Sequence, residues 1–306
     1  MAVAARRAIA LPTLVMVVAG VALSLQAYIN RRLGESVGSG EAAAAVNNAV
    51  GLVALLVVTV AAGAIPRALR SLSQVRLWHL LGGLGGAMFI AAGAIGAPEI
   101  GVALLSVALV CGQTTGSLVA DGAGLSPAGH QGVTAGRVAG VGLTIAAVGA
   151  SALGASAHLH VGLLLFALAA GVASALQQAA NGHLARNTGE PLFAGTVNFV
   201  VGFLALLVVV AIATGVSPPH GWSAPPLQYT AGLFGALIAT TMAVLVSRLG
   251  VLRMMLALTA GQAIGGLALD LIAPARGETV TAGTVAGVAL ACAAVLVTGR
   301  YGRGAV

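Results

Sequence analysis

The sequence predicts an all-α integral membrane protein whose ten transmembrane helices form two inverted five-helix repeats. Three observations carry that reading. The 306 residues are 59% hydrophobic and only 7% charged, with mean hydropathy +1.04, whereas a soluble domain carries about 25% charged residues. The chain also contains itself twice. GVALSLQAYINRRLGESVGSGEAAAAVNNAVGLVALLVV, from Gly20, reads without a gap onto GVASALQQAANGHLARNTGEPLFAGTVNFVVGFLALLVV, from Gly171, with roughly eighteen of thirty-nine positions identical. Finally, each copy holds about five apolar spans. Because that number is odd, the second copy must enter the bilayer upside down relative to the first.

A span needs about 20 apolar residues. On that basis the first half, residues 1–156, holds helices near 9–31, 42–65, 78–97, 100–120 and 132–154. The second half, residues 157–306, holds helices near 160–184, 192–214, 228–247, 251–271 and 280–299. The first span follows Arg6 and Arg7 and has the form of a secretory signal. Its internal counterpart near His160 argues for a retained helix. Breaker-rich stretches separate the spans: APEIG at Ala97, GAGLSPAGHQ at Gly122 and VSPPHGWSAPP at Val216. The 44 glycines suit helices that approach closely through small residues, and GGLGG at Gly82–Gly86 and Gly261-QAI-Gly265 are packing faces of that kind. Two further segments repeat. GQTTGSLVAD, ending at Asp121, matches GQAIGGLALD, ending at Asp270, and VTAGRVAGVGL from Val133 matches VTAGTVAGVAL from Val280.

Every basic side chain other than histidine is an arginine, and together they give the +7 net charge. Their positions orient the chain. With both termini in the cytoplasm, the inner side holds Arg6, Arg7, Arg67, Arg70, Arg76, Arg137, Arg186, Arg248, Arg253, Arg300 and Arg303. The outer side keeps Arg31, Arg32 and Arg276. Arg31-Arg32 faces outward while its twin Gly182-His183 faces inward, a local reversal that orientation does not explain. Scattered arginines between apolar spans also argue against a nucleic-acid partner.

Polar side chains inside lipid are costly unless they meet a packed interior or a wet cavity, so those present in both copies are the candidate site. Gln26 pairs with Gln177 and Asn30 with Asn181, each Gln–Asn set sharing one helical face at i, i+4. Asn47 pairs with Asn198, Gln113 with Gln262, and Asp121 with Asp270. The amides are candidate solute contacts or interhelical bonds. The two acids are candidate gating or coupling groups, or acids that simply reach water at helix ends. Arg137 is a candidate partner for Asp121, and Arg276 for Asp270. The six histidines read as solvated loop residues. Cys111 and Cys292 do not match between copies, so neither a disulfide framework nor a metal site is expected, and no cofactor is implied. No nucleotide-binding loop or nucleophile elbow occurs, which argues against ATP-driven transport and against an enzyme.

These residues carry a family resemblance. Gln26-AYI-Asn30-RRL with its twin Gln177-QAA-Asn181-GHL, Asn47-NAV-Gly51 with Asn198-FVV-Gly202, both GQxxGxLxxD copies and GGLGGAMF from Gly82 resemble the drug/metabolite transporter (DMT) superfamily, and within it the YdcZ-like, EamA-related branch. The resemblance implies an inner-membrane carrier for a small metabolite or drug, with the solute path between the two halves. Small multidrug-resistance relatives place a buried glutamate in the first helix, whereas this chain has Gln26 and Gln177 in the comparable stretch. The expected partners are the lipid bilayer, a small-molecule solute and H+ or Na+ as candidate coupling ions, with a homodimer as a candidate assembly. The sequence therefore predicts a secondary transporter working by alternating access. An uncoupled facilitator and a non-transporting scaffold or sensor are the rival readings.

Overall fold

The computed structural model describes residues 2–100, 102–151, 160–214, 224–272 and 282–301. Among them every regular element is helical. The α-helices are α1 (Ala2–Val37), α2 (Gly40–Ala61), α3 (Ala64–Leu69), α4 (Leu77–Leu80), α5 (Gly83–Ile100), α6 (Val102–Gly122), α7 (Ala135–Ser151), α8 (Val161–Thr188), α9 (Pro191–Thr214), α10 (Ala231–Leu249), α11 (Val251–Ile272) and α12 (Ala282–Tyr301). Short 3₁₀ turns occupy Leu72–Gln74 and Pro226–Thr230.

By length and composition, six helices among the described residues can cross a membrane: Ile9–Val37, Gly40–Ala61, Val161–Thr188, Pro191–Ile212, Pro226–Leu249 and Val251–Leu269. Three apolar stretches, Gly83–Gly93, Ala135–Ala150 and Val285–Thr298, are shorter. The bundle turns apolar side chains outward: Leu14, Val18, Val53, Val57, Leu204, Val208 and Ile212 are all exposed. In water such a surface would aggregate, whereas in lipid it is the solvated face. Inside, small residues dominate, with Ala167, Ala170, Ala175, Ala179 and Ala257 fully covered. Helices that find no hydrophobic drive in lipid associate through this kind of close packing.

Several boundaries differ from the sequence expectation. The third span was expected to start at residue 78, but its helix starts at Gly83. Residues 77–80 form the separate α4, and at Gly82 and Gly83, where the next helix begins, the chain lies so close to Asn181 of α8 and to Asn198 and Gly202 of α9 that a Cβ would collide. α5 continues through Ala97, Pro98 and Glu99 of the APEIG stretch and ends at Ile100, while Gly101 lies outside the described residues and α6 begins at Val102. α1 and α8 run past their expected ends, to Val37 and Thr188, and so carry Asn30 and Asn181 well inside helix. α2 ends at Ala61, so the turn at Ala62 and Gly63 falls inside the expected span 42–65, whereas the break between α6 and α7 was well placed.

Close helix contacts come in matched pairs. Gly20 of α1 lies against Leu258 and Gln262 of α11, and Gly261 lies against Val17. Correspondingly, Gly171 of α8 lies against Leu109 and Gln113 of α6, and Gly112 lies against Leu168. In both cases an added Cβ would run into a backbone carbonyl. Gly232 of α10 packs on Asn47 and Gly51 of α2, as Gly83 of α5 packs on Asn198 and Gly202 of α9. Exchanging α1, α2, α5 and α6 with α8, α9, α10 and α11 turns each contact into its partner.

The two ends of the bundle differ. One gathers the segment after α2, the α6–α7 loop, the α8–α9 turn and the α10–α11 turn. There Arg67 bonds Glu190, Arg186 bonds the Pro127 carbonyl, and Asn187 Nδ2 donates to the Gln74 carbonyl at 2.9 Å. This is the arginine end. At the opposite end, Val37 and Ala43 pack with Ala224 and Tyr229, and Ser36 donates to Gln228 at 2.9 Å.

Candidate functional site

A cavity of about 630 Å³ lies at the centre of the bundle. α1 contributes Gln26 to its wall, α6 Gln113, α8 Gln177 and Asn181, and α11 Gln262. Five of the ten sequence candidates therefore meet in one space, drawn from both halves. Two glycines make room for the central amides. A Cβ on Gly235 would come within 2.7 Å of Gln26 Nε2, and one on Gly86 within 3.3 Å of Gln177 Oε1. Gln113 Nε2 donates to Ser174 Oγ at 3.1 Å, while the Gln262 main-chain carbonyl accepts from Ser24 Oγ at 2.6 Å. The apolar share of the wall includes Phe89, Leu109, Ile238, Met242, Met255 and Leu258. No acidic or basic side chain lines the cavity among the described residues. Its chemistry is that of amide and hydroxyl groups set in an aliphatic and aromatic surface, which orients a polar solute without neutralising a charge.

The other candidates sit elsewhere. Asn30 lines a shallow recess beside Arg31, Glu35 and Ser39 at the end opposite the arginines, and it accepts from Asn47 Nδ2 at 2.7 Å. Asn47 and Asn198 are buried outside the cavity wall. Asn198 Oδ1 accepts from both Gln177 Nε2 and Asn181 Nδ2 at 2.9 Å. The side chain of Asp270 and all of Arg276 lie outside the described residues.

Asp121 does not reach water. It is 0% exposed, and Arg137, its expected partner, is 1% exposed. Arg137 donates to Asp121 Oδ2 at 2.5 Å and to Gln131 Oε1 at 2.6 Å. The same carboxylate accepts from the amides of Val251 at 2.8 Å and Leu252 at 3.1 Å, so it caps the first turn of α11 and meets the positive end of that helix. Gly250 makes this possible. It has φ +75°, and a side chain there would collide with Asp121 and Gln131.

The histidine expectation also fails at two positions. His79 is buried, and its ring stacks on that of His183 at 4.9 Å between centroids and 6° between planes, with Trp78 edge-on to both. Arg76 N donates to His79 Nδ1 at 3.2 Å, and one His183 ring nitrogen bonds the Leu125 carbonyl at 3.0 Å. Burial, then the neighbouring His183 and Arg76, push His79 down to about 4. Ser106, Ser174, Gln178 and Thr259 of the cavity wall were missed. None is duplicated between copies, so symmetry could not find them. At the surface, the hydrogen bond from Arg67 holds the Glu190 carboxyl below its ordinary range.

A family model described as "Putative inner membrane exporter, YdcZ" matches residues 11–150 and 162–297, one stretch in each half. The chain belongs to this family, the YdcZ-like branch of the drug/metabolite transporter superfamily, and is a multi-pass inner membrane protein of the transporter class. No curated protein and no solved structure matches it significantly.

Proposed function

We propose that this chain is a secondary transporter in which two five-helix repeats, residues 1–156 and 157–306, cross the membrane ten times with opposite polarity and alternate access to a shared central cavity. One observation carries the reading: duplicated glutamines, Gln26 with Gln177 and Gln113 with Gln262, converge on one space from both halves. The matched glycine contacts support the inverted arrangement. The gathering of Arg67, Arg76, Arg137, Arg186 and Arg248 near one end supports a cytoplasmic arginine end with both termini inside.

The cargo is a small polar or amphipathic solute. Gln26, Gln177, Gln113, Gln262 and Asn181 contact it, while Asn30, Asn47 and Asn198 support the helices that present them. In this conformation the arginine end is shut. Asp121 ties α6 to α11 there, and Gly182 presses on Val246 and Pro127. Asp121 therefore acts as a lock on that gate, and opening requires it to leave α11.

Transport by purified protein in proteoliposomes, driven by an imposed solute gradient, tests this. Gln113→Leu and Gln262→Leu are expected to reduce flux about tenfold or more, as truncation of solute contacts worth about 1.4 kcal/mol does. Full flux in both variants rejects the cavity as the path. An uncoupled facilitator is favoured by the lack of acidic lining among the described residues and shows itself by flux that ignores imposed proton and sodium gradients.

A further inference from the structure

The two amide clusters carry the same three side chains and are bonded differently. In α8 and α9, Gln177 and Asn181 both donate to Asn198 Oδ1 at 2.9 Å. In α1 and α2, Asn47 donates to Asn30 at 2.7 Å, and its own Oδ1 takes only a long bond, 3.3 Å, from the Gly232 amide. Gln26, the twin of Gln177, is not held by Asn47. Its Oε1 is buried with no partner among the described residues. A buried amide left unpaired destabilises the state that contains it, and the missing bond is the one its twin makes.

We infer that Gln26 and Gln177 are the two arms of an exchange latch. Here Gln177 is latched to Asn198 and Gln26 is released. In the alternate state Gln26 pairs with Asn47 while Gln177 lets go of Asn198. The inference rests on the alternating-access reading and goes beyond it by naming the side chains that hold each state. Space for the exchange is already present. Gly235 lies beside Gln26 and Gly86 beside Gln177, and a methyl group at either would crowd the amide. Both glutamines also line the cavity, so a bound solute bears directly on which arm is free. Asn47 and Asn198 are then positioning residues, acting on the solute only through the glutamines.

The test is thiol labelling of the full chain in membrane vesicles of each orientation, with Cys111 and Cys292 replaced by serine. One reporter is Ser106→Cys, near the start of α6, and the other is Met255→Cys, one turn into α11 at the arginine end. Gln177→Ala should raise labelling of Met255→Cys from the arginine end and lower labelling of Ser106→Cys from the opposite face. An average membrane hydrogen bond of about 0.6 kcal/mol predicts a change of about threefold for Gln177→Ala and about the same for Asn198→Ala, because the Asn181–Asn198 bond, like its twin Asn30–Asn47, is kept in both states. Gln26→Ala should shift both reporters the opposite way. It removes no bond present in this structure, so it keeps the test open should Asn198→Ala fail to insert. The latch is overturned if Gln26→Ala and Gln177→Ala move labelling in the same direction, or if neither moves it. Should the parent chain and all variants expose only one reporter, alternating access falls and the latch falls with it. Two reporters that both label in the parent chain but ignore every substitution sink the latch alone.

Discussion

The arginine end and the α1–α2 end are built from copies of the same sequence, yet they are secured in different ways. At the arginine end a buried carboxylate holds a guanidinium and two helix amides at once, two imidazoles stack face to face, and an ion pair ties the segment after α2 to the start of α9. At the α1–α2 end, the polar contacts include the Asn47–Asn30 bond, a long bond from the Gly232 amide to Asn47, the Ser36–Gln228 bond, the Ser39 cap of α2 and the exposed pairs of Arg31 and Arg32 with Glu35. Exposed pairs of that kind contribute little. An alternating carrier in one of its states should look like this, with one gate knitted shut and the other loose. Asp121 belongs to the contacts of the arginine end and lies outside the cavity wall.

The largest effect is expected from removing the Asp121 carboxylate. Asp121→Ala leaves the Arg137 guanidinium buried and unpaired, and it strips the cap from α11. A loss of about 3–5 kcal/mol is expected, read as a large fall in melting temperature of the purified protein. A small fall would mean that the arginine end is held by packing alone. Removing Asp121 and Arg137 together should cost less than the sum of the two single changes.

Acidification probes the same end more gently. His79 has a lowered folded-state value of about 4 against an ordinary 6.5, so between those values the unfolded chain binds a proton that the folded chain refuses. Stability from this group is complete above about pH 6.5 and is lost progressively as pH falls toward 4. Melting temperature should therefore drop over that window, and His79→Gln should flatten the slope. An unchanged slope would remove the buried imidazole from the account.

The smallest effect is expected at the loose end. Asn30→Ala removes one amide bond at the edge of a shallow recess, and about 0.6 kcal/mol is expected from such a bond in a membrane protein. A loss approaching that of Asp121→Ala would show that both ends are equally secured and would abolish the contrast.

Much of this was legible in the residues. Composition places the chain in lipid, because too few charges remain to cover a soluble surface. The duplication identified the glutamines that meet in the cavity, because positions kept in both copies of a repeat are kept for something the copies share. Arginine placement anticipated which segments gather at one end. Helix ends were less legible. The chain breaks after α4, where the hydropathy would continue a helix, while Pro98 does not end α5, and both outcomes depend on how neighbouring helices hold the backbone.

Hydropathy, periodicity and repetition are properties read along the chain, and they suffice for the medium, the helical class and the glutamines that face the cavity. No such pattern foretells that Asp121 caps α11, that His79 stacks on His183, or that Gln177 is bonded to Asn198 while the Gln26 carbonyl has no partner among the described residues. The physical reason is that each of these depends on partners a hundred or so residues away or on other helices. A duplicated sequence encodes two equivalent bonding patterns and leaves the choice between them to the conformation the whole bundle adopts.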